Sequence, residues 1–227
     1  MSWLEVSNTI DYALSLPREQ RCNSIDHGQL RLLYRIAVLK RVGRAELDRR
    51  DQDSMPVINK RLKYLLGHQL IEYDERYWGN VPRGRYSLSE QGHNFSRRLS
   101  RGRTNLEMQR GLDIVQGIVG NRQLNAAHLK ILVYMATGNV VKMPDLIEHT
   151  GAHRQTVRSR LKSMASWGLI SRDENTTAGG NGNCINWRLS SEGRVVITAL
   201  FPEGFVGLPS WMHRRNGRCR YRTGNQR

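Results

Sequence analysis

Thr150-Gly151-Ala152-His153-Arg154-Gln155-Thr156-Val157-Arg158-Ser159-Arg160-Leu161, followed closely by Trp167-Gly168-Leu169-Ile170, decides how the rest of the chain is read. Over residues 153–167, Val157, Leu161, Met164 and Ala165 recur on one helical face, while Arg154, Gln155, Arg158, Ser159 and Lys162 fall on the other. Gly168 ends this helix, and Gly151 supplies the sharp bend before it. Upstream, residues 144–149 predict a short helix, because proline suits a first helical turn. Further upstream, Asn125 is placed to cap a helix carrying Leu129, Leu132, Val133 and Ala136, which Gly138-Asn139 stops. Downstream, Leu169-Ile170 opens an extended stretch, residues 177–183 turn, and Ile185, Trp187 and Leu189 alternate along a returning strand.

The whole pattern occurs twice. At a shift of 99 residues Leu30 falls on Leu129, Leu33 on Leu132, Leu47 on Leu146, Arg61-Leu62-Lys63 on Arg160-Leu161-Lys162 and Leu70-Ile71 on Leu169-Ile170. Beyond a variable loop the shift becomes 101, so that Tyr86-Ser87-Leu88-Ser89 meets Trp187-Arg188-Leu189-Ser190 and Gly92 meets Gly193. A two-residue insertion in one loop explains the change. Self-similarity that preserves both helical and extended spacing predicts two units of one fold.

The first unit accordingly predicts helices over residues 29–42, 45–50 and 56–66, with Ser54 and Pro56 marking the start of the third. A hairpin follows, its turn including Trp78-Gly79-Asn80 through Gly84. Between the units, residues 89–99 read as a basic helix and residues 105–119 as an amphipathic one, with Leu106, Leu112, Val115, Ile118 and Val119 on its apolar side. A short helix is expected over residues 8–16, stopped by Pro17, and the Arg-rich stretch 202–227 reads as a flexible basic tail.

Charge narrows the partner. Lys and Arg number 36 against 20 Asp and Glu, a net charge of +16 and a pI near 10.6, and the excess is spread over both halves and the tail. Such a balance favours a polyanion, with nucleic acid first and an anionic membrane surface second. No apolar run is long enough to span a bilayer, and the first residues lack a basic region ahead of an apolar one, so an unexported chain is expected. Cys22, Cys184 and Cys219 are widely spaced, which suits neither a disulfide framework nor zinc and fits a reducing cytoplasm.

Helix, short helix, glycine turn, third helix, Leu-Ile and hairpin, in this order and twice over, resemble the winged helix-turn-helix family, especially its bacterial MarR-like regulators. The resemblance covers roughly residues 26–93 and 125–194. Leu88-Ser89-Glu90-Gln91-Gly92 and Leu189-Ser190-Ser191-Glu192-Gly193 are similar to the Leu-Thr-x-x-Gly closure of many such sequences. The resemblance implies a mainly α fold with small β-hairpins (α+β), two tandem winged-helix domains over residues 25–93 and 122–201. An N-terminal helical arm over 1–24, a helical connector over 94–121 and the tail complete the division.

It also implies a mode of binding. The third helix of each unit enters a major groove, where Arg forks match guanine and Gln matches adenine. His153, Arg154, Gln155, Thr156, Arg158, Ser159 and Lys162 supply that chemistry in the second unit, and Asn59, Lys60 and Lys63 in the first. The hairpins become wings, with Arg83 and Arg85 in the first and Arg172 in the second meeting backbone or minor groove. Asp51 and Asp53 precede the first unit's third helix and are expected to oppose phosphate, which makes the second unit the stronger reader.

Other signals are weaker. His149 and His153 flank a bend with no Glu or Cys to complete a ligand set, and Gly179-Gly180-Asn181-Gly182 is a loop tip without the Lys-Ser/Thr of a phosphate cradle. No catalytic constellation, cofactor fingerprint or metal site is recognisable. The expectation is therefore a non-enzymatic, nucleoid-associated DNA-binding transcriptional regulator of a prokaryote or its phage, reading two sites in successive major grooves of double-stranded DNA. A plasmid or phage replication initiator, and an interaction protein docking on host RNA polymerase or another protein, are the alternatives. The apolar side of residues 105–119 is expected either to pack within the monomer or to pair with a second copy in a dimer.

Overall fold

The computed structural model describes residues 25–50, 53–75, 77–78, 81–82, 84–100, 102–138, 140–172 and 185–202. The helix expected over residues 8–16, Asp51, Arg83, the turn over 177–183 and the tail beyond Pro202 lie outside them.

Helix α1 (His27–Leu39) begins at Asp26, whose carboxylate accepts from the Gln29 N–H at 2.8 Å while the Gln29 side chain accepts from the Asp26 N–H at 2.8 Å. Every residue from His27 to Ile36 is buried, so α1 is a central helix covered on all sides. The periodicity carried it to Val42, but it stops at Leu39. Lys40 turns the chain with a φ of 63°, and Val42–Gly43 forms strand β1. Branched Val42 fits the extended slot and is fully buried there.

Helices α2 (Arg44–Arg50) and α3 (Met55–Gly67) follow, then β2 (Ile71–Asp74), the short ribbon β3 (Tyr77–Trp78) and β4 (Val81–Pro82), β5 (Arg85–Leu88) and α4 (Glu90–Ser100). Ser54 does cap α3 by position, with proline in the first turn, but its hydroxyl makes no capping bond. The expected hairpin of β2 and β5 is part of a three-stranded antiparallel sheet ordered β1-β5-β2, in which Val42 faces Tyr86 and Ile71 faces Leu88. Helix α4 runs unbroken across residues 93 and 94, so the division expected there falls inside a helix.

After α5 (Asn105–Val119) the order repeats as α6 (Ala126–Thr137), β6 (Val141–Lys142), α7 (Met143–Thr150), α8 (Arg154–Ser166), β7 (Ile170–Arg172), β8 (Asn186–Leu189) and α9 (Ser191–Leu200). The second sheet is ordered β6-β8-β7, with Val141 facing Trp187 and Ile170 facing Leu189. These are the registers of the first sheet carried forward by the shifts of 99 and 101. The added third strand has two residues in each half, too short to leave an alternating pattern.

The repeated Leu-Ser-x-x-Gly closure has a common physical cause. Ser89 Oγ accepts from the Gly92 N–H at 2.9 Å and donates to the Gln69 carbonyl, while Ser190 Oγ accepts from the Gly193 N–H at 3.0 Å and donates to the Gly168 carbonyl at 2.5 Å. A Cβ on Gly92 would lie 1.9 Å from the Leu70 carbonyl oxygen, and one on Gly193 would lie 2.1 Å from that of Leu169. Only glycine lets each closing helix sit so near the strand entry.

Helix α5 is a shared layer between the halves. Thr104 and Glu107 close its capping box, and it packs on α1 on one side and α9 on the other. A Cβ on Gly111 would lie 2.3 Å from the Ala199 carbonyl oxygen, so this crossing too requires close backbone approach. Its buried positions are Met108, Gly111, Leu112, Val115, Gln116 and Val119, whereas Leu106, expected on the apolar side, is 45% exposed. Leu106 sits two residues from Met108, about 200° around the helix from the covered stripe. One continuous apolar core runs from Ile25 to Leu200. Among the described residues no helix is long and apolar enough to cross a membrane.

Candidate nucleic-acid interface

Helix α7 ends at Gly151, whose φ of 61° turns the chain in the left-handed conformation expected of that bend. Thr150 Oγ1 donates to the Leu146 carbonyl at 2.7 Å and accepts from the Ala152 N–H at 3.3 Å. His153 then caps α8, its Nδ1 accepting from the Gln155 N–H at 3.3 Å. His149 lies apart from it, its ring stacked on Tyr134 with centroids 4.2 Å apart. Of the two, it is His153 that makes a contact at the start of α8.

Val157, Leu161 and Met164 anchor α8 to the core. Its other face exposes Arg154, Gln155, Thr156, Arg158, Ser159 and Lys162, with His153 exposed at its start. The helix contains no carboxylate at all, so nothing on it opposes its cations. All seven residues expected to read DNA in this half therefore lie on one surface.

Helix α3 is the counterpart. Ile58, Leu62 and Leu65 are buried, Lys60 and Lys63 are exposed, and Asn59 is half-buried. It too lacks carboxylates. Asp53, expected to oppose phosphate here, does not face solvent. Its side chain is 2% exposed, ion-paired with Arg61, and 3.6 Å from the guanidinium of Arg31. A carboxylate sealed between two cations projects little negative field toward solvent.

The sheets place the remaining candidates. Arg85 is exposed at the start of β5, opposite both Gly43 and Asp74, and Asp74 is itself ion-paired with Arg41. Arg172 is exposed on β7 with its guanidinium 5.6 Å from the centre of the buried Trp187 ring, a cation–π contact across the strand pair. Arg83 lies outside the described residues.

One cation on the second sheet escaped sequence reasoning. Arg188 is exposed on β8 between buried Trp187 and Leu189, and its Nε donates to Ser171 Oγ at 3.4 Å. The signal was present in the alternation, since inward neighbours force Arg188 outward.

Arg160 shows how the halves differ. Its counterpart Arg61 has Asp53, whereas position 152 is Ala, and Arg160 has no carboxylate partner among the described residues. Burial lowers its pKa, and burial together with the Arg160 charge pulls His128 down to about 4. Arg160 is half-buried on α8, and the buried His128 ring lies against Trp167 just past the end of that helix. No protein-family model matches the chain, and no curated protein sequence matches it.

Proposed function

We propose that the chain is a sequence-specific double-stranded DNA-binding protein, a transcriptional regulator made of two tandem winged helix-turn-helix domains. In this reading α3 and α8 are the recognition helices and the two sheets supply the wings. The observation that carries it is the exposed, carboxylate-free face of α8, held out by a capped glycine turn and rich in Arg and Gln. Those side chains can form paired hydrogen bonds with purine edges in a major groove. Arg172, Arg188 and Arg85 are exposed beside the hairpins and suit backbone contacts that position the protein. The net charge of +16 supplies the sequence-independent attraction.

Selection by the full-length chain from a random double-stranded DNA pool tests this. Enrichment of a defined motif at physiological salt is the expected outcome. Retention that vanishes with salt and enriches no motif would leave only a polycation and overturn the reading.

A further inference from the structure

Asp26 and Asn125 form an antiparallel bridge, and they are the same position in the two halves, 99 residues apart. From this we infer that a local two-fold axis within one chain relates α3 to α8, so that the chain reads two inverted half-sites rather than a direct repeat. The inference rests on the DNA-binding reading and sharpens it.

A residue can pair antiparallel with its own counterpart only if a half-turn exchanges the two segments. Under translation alone the segments would run the same way, and the counterparts would not meet. The backbone bond follows the same rule. The His27 N–H donates to the Leu124 carbonyl at 2.9 Å, joining the residue after the bridge in one half to the residue before it in the other. That is one of the two bonds that a two-fold exchange across an antiparallel bridge relates, here inside a single polypeptide.

The arrangement is held in place. Both bridge residues are helix caps with closed capping boxes, Asp26 with Gln29 and Asn125 with His128. Connector α5 ties the first half down, since Asp113 accepts from Arg31 Nε at 2.5 Å and His27 Nε2 lies 3.0 Å from Gln116 Oε1 and 3.3 Å from the Gly120 oxygen. It also packs on α9 of the second half. Because both halves share strand order and register, the operation that carries Asp26 to Asn125 carries α3 to α8.

DNA has two-fold axes of its own across the duplex, and a protein with two-fold symmetry meets them by presenting its reading helices to opposite strands. The axis here is only approximate in chemistry. Asn59, Lys60 and Lys63 face one half-site, and Arg154, Gln155, Arg158 and Lys162 the other, so the halves of the target are inverted but unlike in sequence.

Because unlike halves hide their orientation in a motif, strand-resolved cleavage is the test. Single cysteines carrying an iron–EDTA cleavage reagent are placed at counterpart positions in an otherwise cysteine-free full-length chain bound to its selected DNA. Gly67→Cys and Ser166→Cys mark the ends of the two helices. Both positions are exposed, and a side chain at position 67 meets open space. The two ends are expected to cut opposite strands. Cuts by both on the same strand would overturn the two-fold while leaving DNA binding intact. Failure to select any DNA would overturn the reading beneath it.

Discussion

Asp113 on the connector helix accepts a hydrogen bond from Arg31 Nε at 2.5 Å and lies 3.8 Å from the guanidinium of Arg35, drawing two buried cations of α1 onto α5. The connector is thereby part of the first half's core. Asp113→Ala takes one carboxylate from two guanidinium groups in a poorly solvated place, Arg31 keeping Asp53 at 3.6 Å. Because the Asp113 side chain is 41% exposed, part of the buried-pair penalty is screened, and a loss of about 1–3 kcal/mol is expected. A urea midpoint unchanged from the parent chain would contradict this role.

Gly92→Ala and Gly193→Ala are expected to act alike. Each puts a methyl group about two ångströms from a backbone carbonyl oxygen, and backbone cannot swing aside as a side chain can. Each should cost about 1–3 kcal/mol or more as the closing helix is pushed off its strand. Thermal unfolding of the two variants checks both size and parity. A large cost at one position only would show that the halves close by different means.

The physical reason for what was legible lies in periodicity. Helix α5 could be placed at Asn105–Val119 because its stripe repeats over four turns, and the counterpart helices because their stripes occur twice. The two-residue strands could not, since a pair of residues has no period, and Val42 was absorbed into the helix before it. Side-chain burial set the other limit. Sequence shows that Asp53 is acidic and near α3, but only the fold shows Arg61 and Arg31 enclosing it. The exposed face of α8 was readable because its buried face, Val157, Leu161 and Met164, defines it by subtraction.

The division of labour between reading helix and sheet is open to measurement. Arg158→Ala and Arg154→Ala should weaken specific binding by about 1–3 kcal/mol each and relax base preference at one half-site. Arg172→Ala and Arg188→Ala should weaken binding to all sequences alike and lower the salt dependence by roughly one released counterion each. Titrations on selected and scrambled duplexes at several salt concentrations separate these effects. Equal losses on both duplexes from all four variants would remove the distinction.

Acid should loosen the second half through His128. Its ring is buried, and burial first, then the Arg160 charge, hold its pKa down at about 4. An unfolded histidine takes its proton near pH 6.5, so between these values the unfolded chain binds a proton that the folded chain refuses. Stability from this group is therefore complete above about pH 6.5 and falls as pH drops toward 4, by about 1.4 kcal/mol per pH unit. Protonation at Nδ1 would also remove the acceptor that the Asn125 N–H reaches at 3.4 Å. Burial moves His27 and His68 in the same direction, so the slope has more than one source. His128→Gln isolates its share, because Gln29 already closes the same capping box at the counterpart position in the first half. Urea midpoints from pH 4.5 to 7.5 should fall less steeply for His128→Gln than for the parent chain. Parallel curves would place the acid sensitivity elsewhere.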